Sequence, residues 1–208
     1  MIKVGDNMIN YPIKKPMMER KTNYANLGMT LEADIEASNT YYLNHGFAVI
    51  HKKPTPIQVV NVNYPARNKA KIVEAYYKTP STTDFNGVYK GYYIDFDAKE
   101  THSATSMPLR NISPHQIDHL RQVENHQGIG FLIVHFKKHN TYFLLPSAVL
   151  FDYWDHQGKE KGRKSIPYQT FLEKAYPIPF KYHPRLDYLP ALDQLIFESN
   201  SSFKTKMR

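Results

Sequence analysis

Polar and apolar residues alternate along Tyr93–Lys99, setting Ile94, Phe96 and Ala98 against Asp95, Asp97 and Lys99. Successive strand side chains point to opposite faces, so the pattern predicts a strand with an apolar face toward a core. Two carboxylates and an ammonium line its other face. Upstream, Leu27, Leu31, Ile35 and Tyr42 recur at helical spacing, acids gather early and Gly46 supplies a stop. A first helix is expected there. Phe47–His51 reads as a short apolar strand broken by Pro54 and Pro56, and Ile57–Val62 as a second strand by its β-branched content.

Downstream, His102–Asn111 is polar and loop-like. Ser113 as N-cap, Pro114 at the first helical position and the stripe Ile117, Leu120 and Val123 then predict a helix. Gly130–Phe136 is a near-continuous apolar run, as expected of a strand covered on both faces, and Asn140–Thr141 turns it into Tyr142–Leu145. Further helices are expected over Ser147–Asp155 with Trp154 in the core, from Ser165 onward, and over Pro184–Phe197. The charged run Lys159–Lys164 is a loop. Residues 1–24 sustain no period and read as a flexible basic arm, and 198–208 as a polar tail.

The 208 residues give room for a single domain, the default organisation. A net charge of +8 points to an anionic partner, nucleic acid or otherwise, because phosphate neutralisation by Lys and Arg supplies much of nucleic-acid affinity. Cysteine is absent, which removes disulfides, thiolate zinc sites and cysteine nucleophiles together, so any metal must be held by oxygen or imidazole. No run approaches the roughly 20 apolar residues of a membrane span, and no signal-like core opens the chain; a cytoplasmic protein with no membrane partner is expected.

Candidate chemistry gathers at Ser81–Thr101. Thr82, Thr83 and Asp84 precede a glycine-punctuated turn, and Asp97 and Lys99 follow it on one strand face. Phosphodiester cleavage needs an activated water, neutralised phosphate charge and help for the leaving oxygen. A hard divalent cation on carboxylates, beside a lysine, meets all three needs. The spacing is that of D…(D/E)xK, which by itself also marks ordinary exposed strand edges. Two other windows carry alternatives. Asn63–Pro80 interleaves Arg67, Lys69, Lys71 and Lys78 with tyrosines, either a nucleic-acid contact surface or an amphipathic helix or hairpin with a solvated basic face. His115 and His119 stand four apart, a zinc-compatible spacing or a structural or DNA-facing pair.

The segments GMTLEADI, VIHKKPTP, STTDFNGVYKGYYIDFDAKET, the Gln116 helix, KGRKSIPY and PRLDYLPAL together resemble the RecU family, Holliday-junction resolvases of Gram-positive bacteria, from about residue 20 to Phe197. The resemblance implies an α/β, restriction-endonuclease-like core: a mixed β-sheet flanked by helices over 25–197, with a protruding stalk at about 63–80. It implies a homodimer that nicks four-way junctions symmetrically with Mg²⁺, or Mn²⁺ in its place, during recombination and DNA repair, with recombinase and branch-migration proteins as further partners. By the same resemblance Thr82, Asp84, Asp97 and Gln116 are the metal ligands, Lys99 stabilises the transition state, and Arg67, Lys69, Lys71 and Lys78 meet DNA on the stalk. One departure stands out: Asp97 occupies a position where family members usually carry Glu. That departure favours the competing reading, a junction-binding or recombinase-modulating protein with a secondary or impaired nuclease site. Asp95, Glu32, His115 and His119 receive no role.

Overall fold

The computed structural model describes residues 30–66, 69–78 and 82–206, with side chains described as far as Ser199. The arm expected over 1–24 lies outside the described residues, as does Arg67. In chain order the first elements are α1 (Leu31–Asn44), β1 (Val49–Lys52), β2 (Ile57–Asn63), β3 (Lys71–Tyr77), β4 (Phe85–Tyr89), β5 (Tyr92–Thr101) and β6 (Ser106–Pro108). A 3-10 turn over Leu109–Asn111 leads into α2 (Pro114–Asn125), β7 (Ile129–Phe136), β8 (Thr141–Pro146) and α3 (Ser147–His156). The chain continues through β9 (Ser165–Pro167), α4 (Tyr168–Lys174), β10 (Tyr176–Ile178) and α5 (Leu189–Lys206).

Six strands form one mixed sheet in the order β1-β4-β5-β7-β8-β10. All neighbours pair antiparallel except β5 and β7, which run parallel with Phe96 opposite Phe131 and Asp97 opposite Leu132. A parallel pair needs a crossover, and α2 lies within it. Strands β4 and β5 are joined through Lys90 and Gly91, both at positive φ (49° and 83°), the two-residue turn whose twist matches the flanking strands.

Side-chain alternation along β5 sorts the molecule into two cores. Ile94 and Phe96 join Phe85, Phe131 and Ile133 beneath α1 and α5, which contribute Leu31, Ile35, Leu192 and Leu195. Phe96 stacks between Phe85 and Phe131, with ring centroids 5.0 and 4.6 Å away. On the opposite face, Leu132, Val134, Phe136 and Leu145 pack against Ile117 and Leu120 of α2, Leu150 of α3 and Phe171 of α4. That is the face onto which Asp95 and Asp97 point. The alternation predicts the division correctly but not its environment: both carboxylates are fully buried, because α2 covers what reads as an open strand edge.

Several local expectations shift. Helix α1 starts at Leu31, where the Thr30 hydroxyl accepts the Ala33 N–H at 3.3 Å. Trp154 is only half-buried at the rim of the second core. Ser165 begins β9, which pairs with β6, and α4 starts only at Tyr168. The last helix begins at Leu189 and continues through Lys206, where a polar tail is expected.

Among the described residues, strands β2 and β3 leave the main sheet and pair only with each other, as an antiparallel ribbon with a register irregularity at Val59–Val62. Nearly every described residue from 57 to 78 is exposed. As between helix and hairpin for this window, the described residues form a hairpin whose first strand is Ile57–Asn63. At the ribbon's root the Lys78 N–H donates to the Pro56 carbonyl (2.9 Å), and three residues earlier the Lys53 N–H donates to the Asp84 carbonyl (2.7 Å).

Candidate active site

Four elements meet at the buried face of β5. The strand supplies Asp95, Asp97 and Lys99; the segment leading into β4 supplies Thr82, Thr83 and Asp84; the first turn of α2 supplies Gln116; and the chain just beyond β1 supplies Lys53. Asp97 is the centre. Its Oδ2 accepts a short hydrogen bond from Gln116 Nε2, and Lys99 Nζ lies 2.8 Å from its Oδ1. The lysine contact is charged but not aligned as a hydrogen bond, which leaves Oδ1 buried without a hydrogen-bond partner. Burial pushes the Asp97 carboxyl up to about 7; the Lys99 charge opposes the shift and the facing Asp84 carboxylate adds to it.

Gln116 is held at both ends. Its Oε1 accepts the Ser113 N–H at 3.1 Å, the reach-back of a helix-capping glutamine, while its Nε2 meets Asp97. Presenting the amide oxygen to a cation on the Asp97 side requires turning the amide over and releasing the Ser113 N–H. The Thr82 hydroxyl donates to the Thr83 carbonyl at 3.3 Å.

Beside this centre lies a second buried carboxylate. Asp95 accepts from Lys53 Nζ (2.7 Å), the Tyr93 hydroxyl (2.8 Å) and the Thr83 hydroxyl, with His119 Nε2 3.0 Å away. Sequence spacing cannot find this cluster, because Lys53 and His119 arrive from 42 residues before and 24 after. Of the histidine pair, His119 faces Asp95. Among the described residues no three His, Asp or Glu side chains converge on a metal-holding point.

The donor set nevertheless fits a hard cation. An orphaned, fully buried carboxylate oxygen beside a second carboxylate is an oxygen-rich, anionic position, and Mg²⁺ is commonly held by one or two carboxylates while keeping several waters. Glu32 lies elsewhere, on α1, paired with Lys52 at 2.8 Å at the surface. The basic candidates Lys69, Lys71 and Lys78 are all exposed on the ribbon.

A mixed sheet flanked by helices, with D…DxK on a hairpin and a helical amide bonded to Asp97, defines an α/β protein of the carboxylate-and-lysine type. The chain belongs to the RecU family: the family model for Recombination protein U matches residues 26–194. Proteins of Staphylococcus epidermidis named Holliday junction resolvase RecU are 48% identical over 205 residues, covering 92% of this chain and 98% of theirs. Staphylococcus aureus proteins of the same name are 49% identical with the same coverage. Among solved structures, Hjc, a Holliday junction resolvase from Archaeoglobus fulgidus, is similar with a TM-score of 0.40 and 7% identity, over 70% of this chain and 92% of that one.

Proposed function

We propose that this chain is a metal-dependent endonuclease that resolves Holliday junctions by paired symmetric nicks in recombination and DNA repair, acting in the cytoplasm as a homodimer. The observation that carries the reading is the buried Asp97, facing Asp84 and flanked by Lys99 and Gln116. The shared family with proteins named Holliday junction resolvase supports the substrate. Two nicks related by symmetry need two sites, and a C₂ dimer matches the symmetry of a four-way junction.

Asp84 and Asp97 would hold the cation, with the Thr82 hydroxyl and the Gln116 amide oxygen, once turned from Ser113, as further oxygen ligands. Bound there, Mg²⁺ (or Mn²⁺) would supply water activation and neutralisation of phosphate charge. Lys99 keeps an ammonium beside Asp97, where negative charge grows on the scissile phosphate, and donates hydrogen bonds to it. The ribbon lysines and Arg67 bind phosphates, which set register and orientation and carry no base code, so recognition is by branch shape.

The competing reading, a junction-binding or recombinase-modulating protein with an impaired site, rests on aspartate in place of the usual glutamate at 97. The lost methylene does not remove the contacts to Lys99 and Gln116, which favours the enzyme. Incubation with a synthetic four-way junction, with and without Mg²⁺, separates the two. Paired nicks that require Mg²⁺ and disappear in Asp84→Ala support the enzyme; binding without nicks in the wild type overturns it.

A further inference from the structure

We infer that Asp95 is a positioning residue, the hub of a buried network that locks the Thr82–Asp84 segment and helix α2 onto strand β5 and so sets the geometry of the metal ligands. The inference rests on the metal-dependent reading above. Asp95 is fully buried on the same β5 face as Asp97, one strand repeat away, about 7 Å along the chain. Its neighbour opposite on β7 is Gly130, and Leu132 and Val134 continue that face into the second core. Replacing a whole buried charge network by apolar residues is often neutral or stabilising, so stability alone does not call for a charge here.

Three of the four partners of Asp95 lead to a candidate metal ligand. Thr83, whose hydroxyl donates to Asp95, sits between Thr82 and Asp84 in the chain. Lys53 Nζ bonds both Asp95 and the Thr83 hydroxyl (2.7 and 3.0 Å), while its backbone N–H holds the Asp84 carbonyl. His119 lies three residues after Gln116, on the same side of α2, so its contact with Asp95 fixes the rotation of the helix that carries Gln116. Tyr93, on β5 itself, closes the fourth side. Asp95 touches no reacting atom in this arrangement; it acts through the backbone and helix that carry Thr82, Asp84 and Gln116.

The test uses the full chain and Mn²⁺ alone as the probe, with binding followed by the paramagnetic resonance of free Mn²⁺ and folding by thermal melts. Junction binding is measured separately in EDTA. Asp95→Leu and Lys53→Met should bind the junction in EDTA as the wild type does but hold Mn²⁺ about 10–100-fold more weakly, the usual effect of losing a residue that orients metal ligands. Their cleavage should recover toward wild type at saturating Mn²⁺, which a merely unfolded variant cannot do. His119→Gln, which keeps a donor toward Asp95, should restore most of the affinity that His119→Leu loses. Lys53 is partly exposed, so Lys53→Met decides the matter if Asp95→Leu does not fold. Unchanged Mn²⁺ affinity in a folded variant overturns the positioning role while leaving the nuclease reading intact; a wild type that neither binds Mn²⁺ nor cuts overturns both.

Discussion

Asp97 carries the most unusual physical chemistry of any side chain in the site. Its folded-state pKa stands at about 7, above an ordinary value of 3.8, because burial disfavours its charge. Between those values the folded state holds a proton that the unfolded state has lost, so the metal-free protein loses stability as pH rises through that window. We expect Asp97→Asn to be more stable than wild type at pH 8 without metal, by roughly 2–4 kcal/mol, and the gap to close toward pH 4. Urea unfolding at both pH values measures it. A bound cation favours the ionised form, so metal affinity should climb as pH passes 7. Lys99→Ala should lower cleavage about 10²- to 10³-fold, the effect of removing one transition-state donor, with junction binding retained in a gel-shift assay. Period-two alternation made Asp97 and Lys99 legible as a pair, since strand geometry forces residues two apart onto one face. The same alternation gave Asp95 equal standing without revealing its use. Its partners come from distant segments, and only the folded chain brings Lys53, Thr83 and His119 to one carboxylate. Gln116 was legible only through family resemblance, because a glutamine in a first helical turn is ordinary as a cap.

Among the elements, the β2–β3 ribbon stands apart. Among the described residues its strands pair with nothing else, and its lysines are spread from Lys69 near the tip to Lys78 at the root, along a strand about 20 Å long. Replacing Lys69, Lys71 and Lys78 together by alanine should weaken junction binding and flatten its salt dependence, the slope of log K against log salt falling by about 2–3. Thermal melts should leave the fold unchanged, since none of the three belongs to either core. The sequence showed Ile57–Val62 as a strand but not that it leaves the sheet, because β-branched content reports extended backbone and not the partner it pairs with. Helix α2 was legible from Ser113 and Pro114, whose cap chemistry is local. Helix α5 was not legible beyond Phe197, where Ser199, Asn200 and Ser201 are poor helix formers; the preceding turns are packed on the first core, and propagation is easier than nucleation.

At the scale of the whole molecule, one sheet serves two cores, and β5 belongs to both. Odd and even residues of a single strand divide the labour, Phe96 anchoring the α1–α5 side and Asp97 lying on the side covered by α2. Phe131→Ala removes one of the rings stacked on Phe96, with all three rings fully buried, and should cost about 3–5 kcal/mol by chemical denaturation. The unbroken apolar run of β7 marked a strand covered on both faces, while the alternation in β5 put only one of its faces against a core. Which helices cover which face was not legible, because that depends on the parallel crossover between them. The short stretch from Lys53 to Pro56 also has a mechanical meaning. One end grips the backbone of Asp84, the other grips the root of the ribbon, and Pro54 and Pro56 stiffen the span by fixing their own φ angles. Torque applied to the ribbon has a stiffened span to travel along, and that span ends on the main-chain carbonyl of Asp84, a proposed metal ligand.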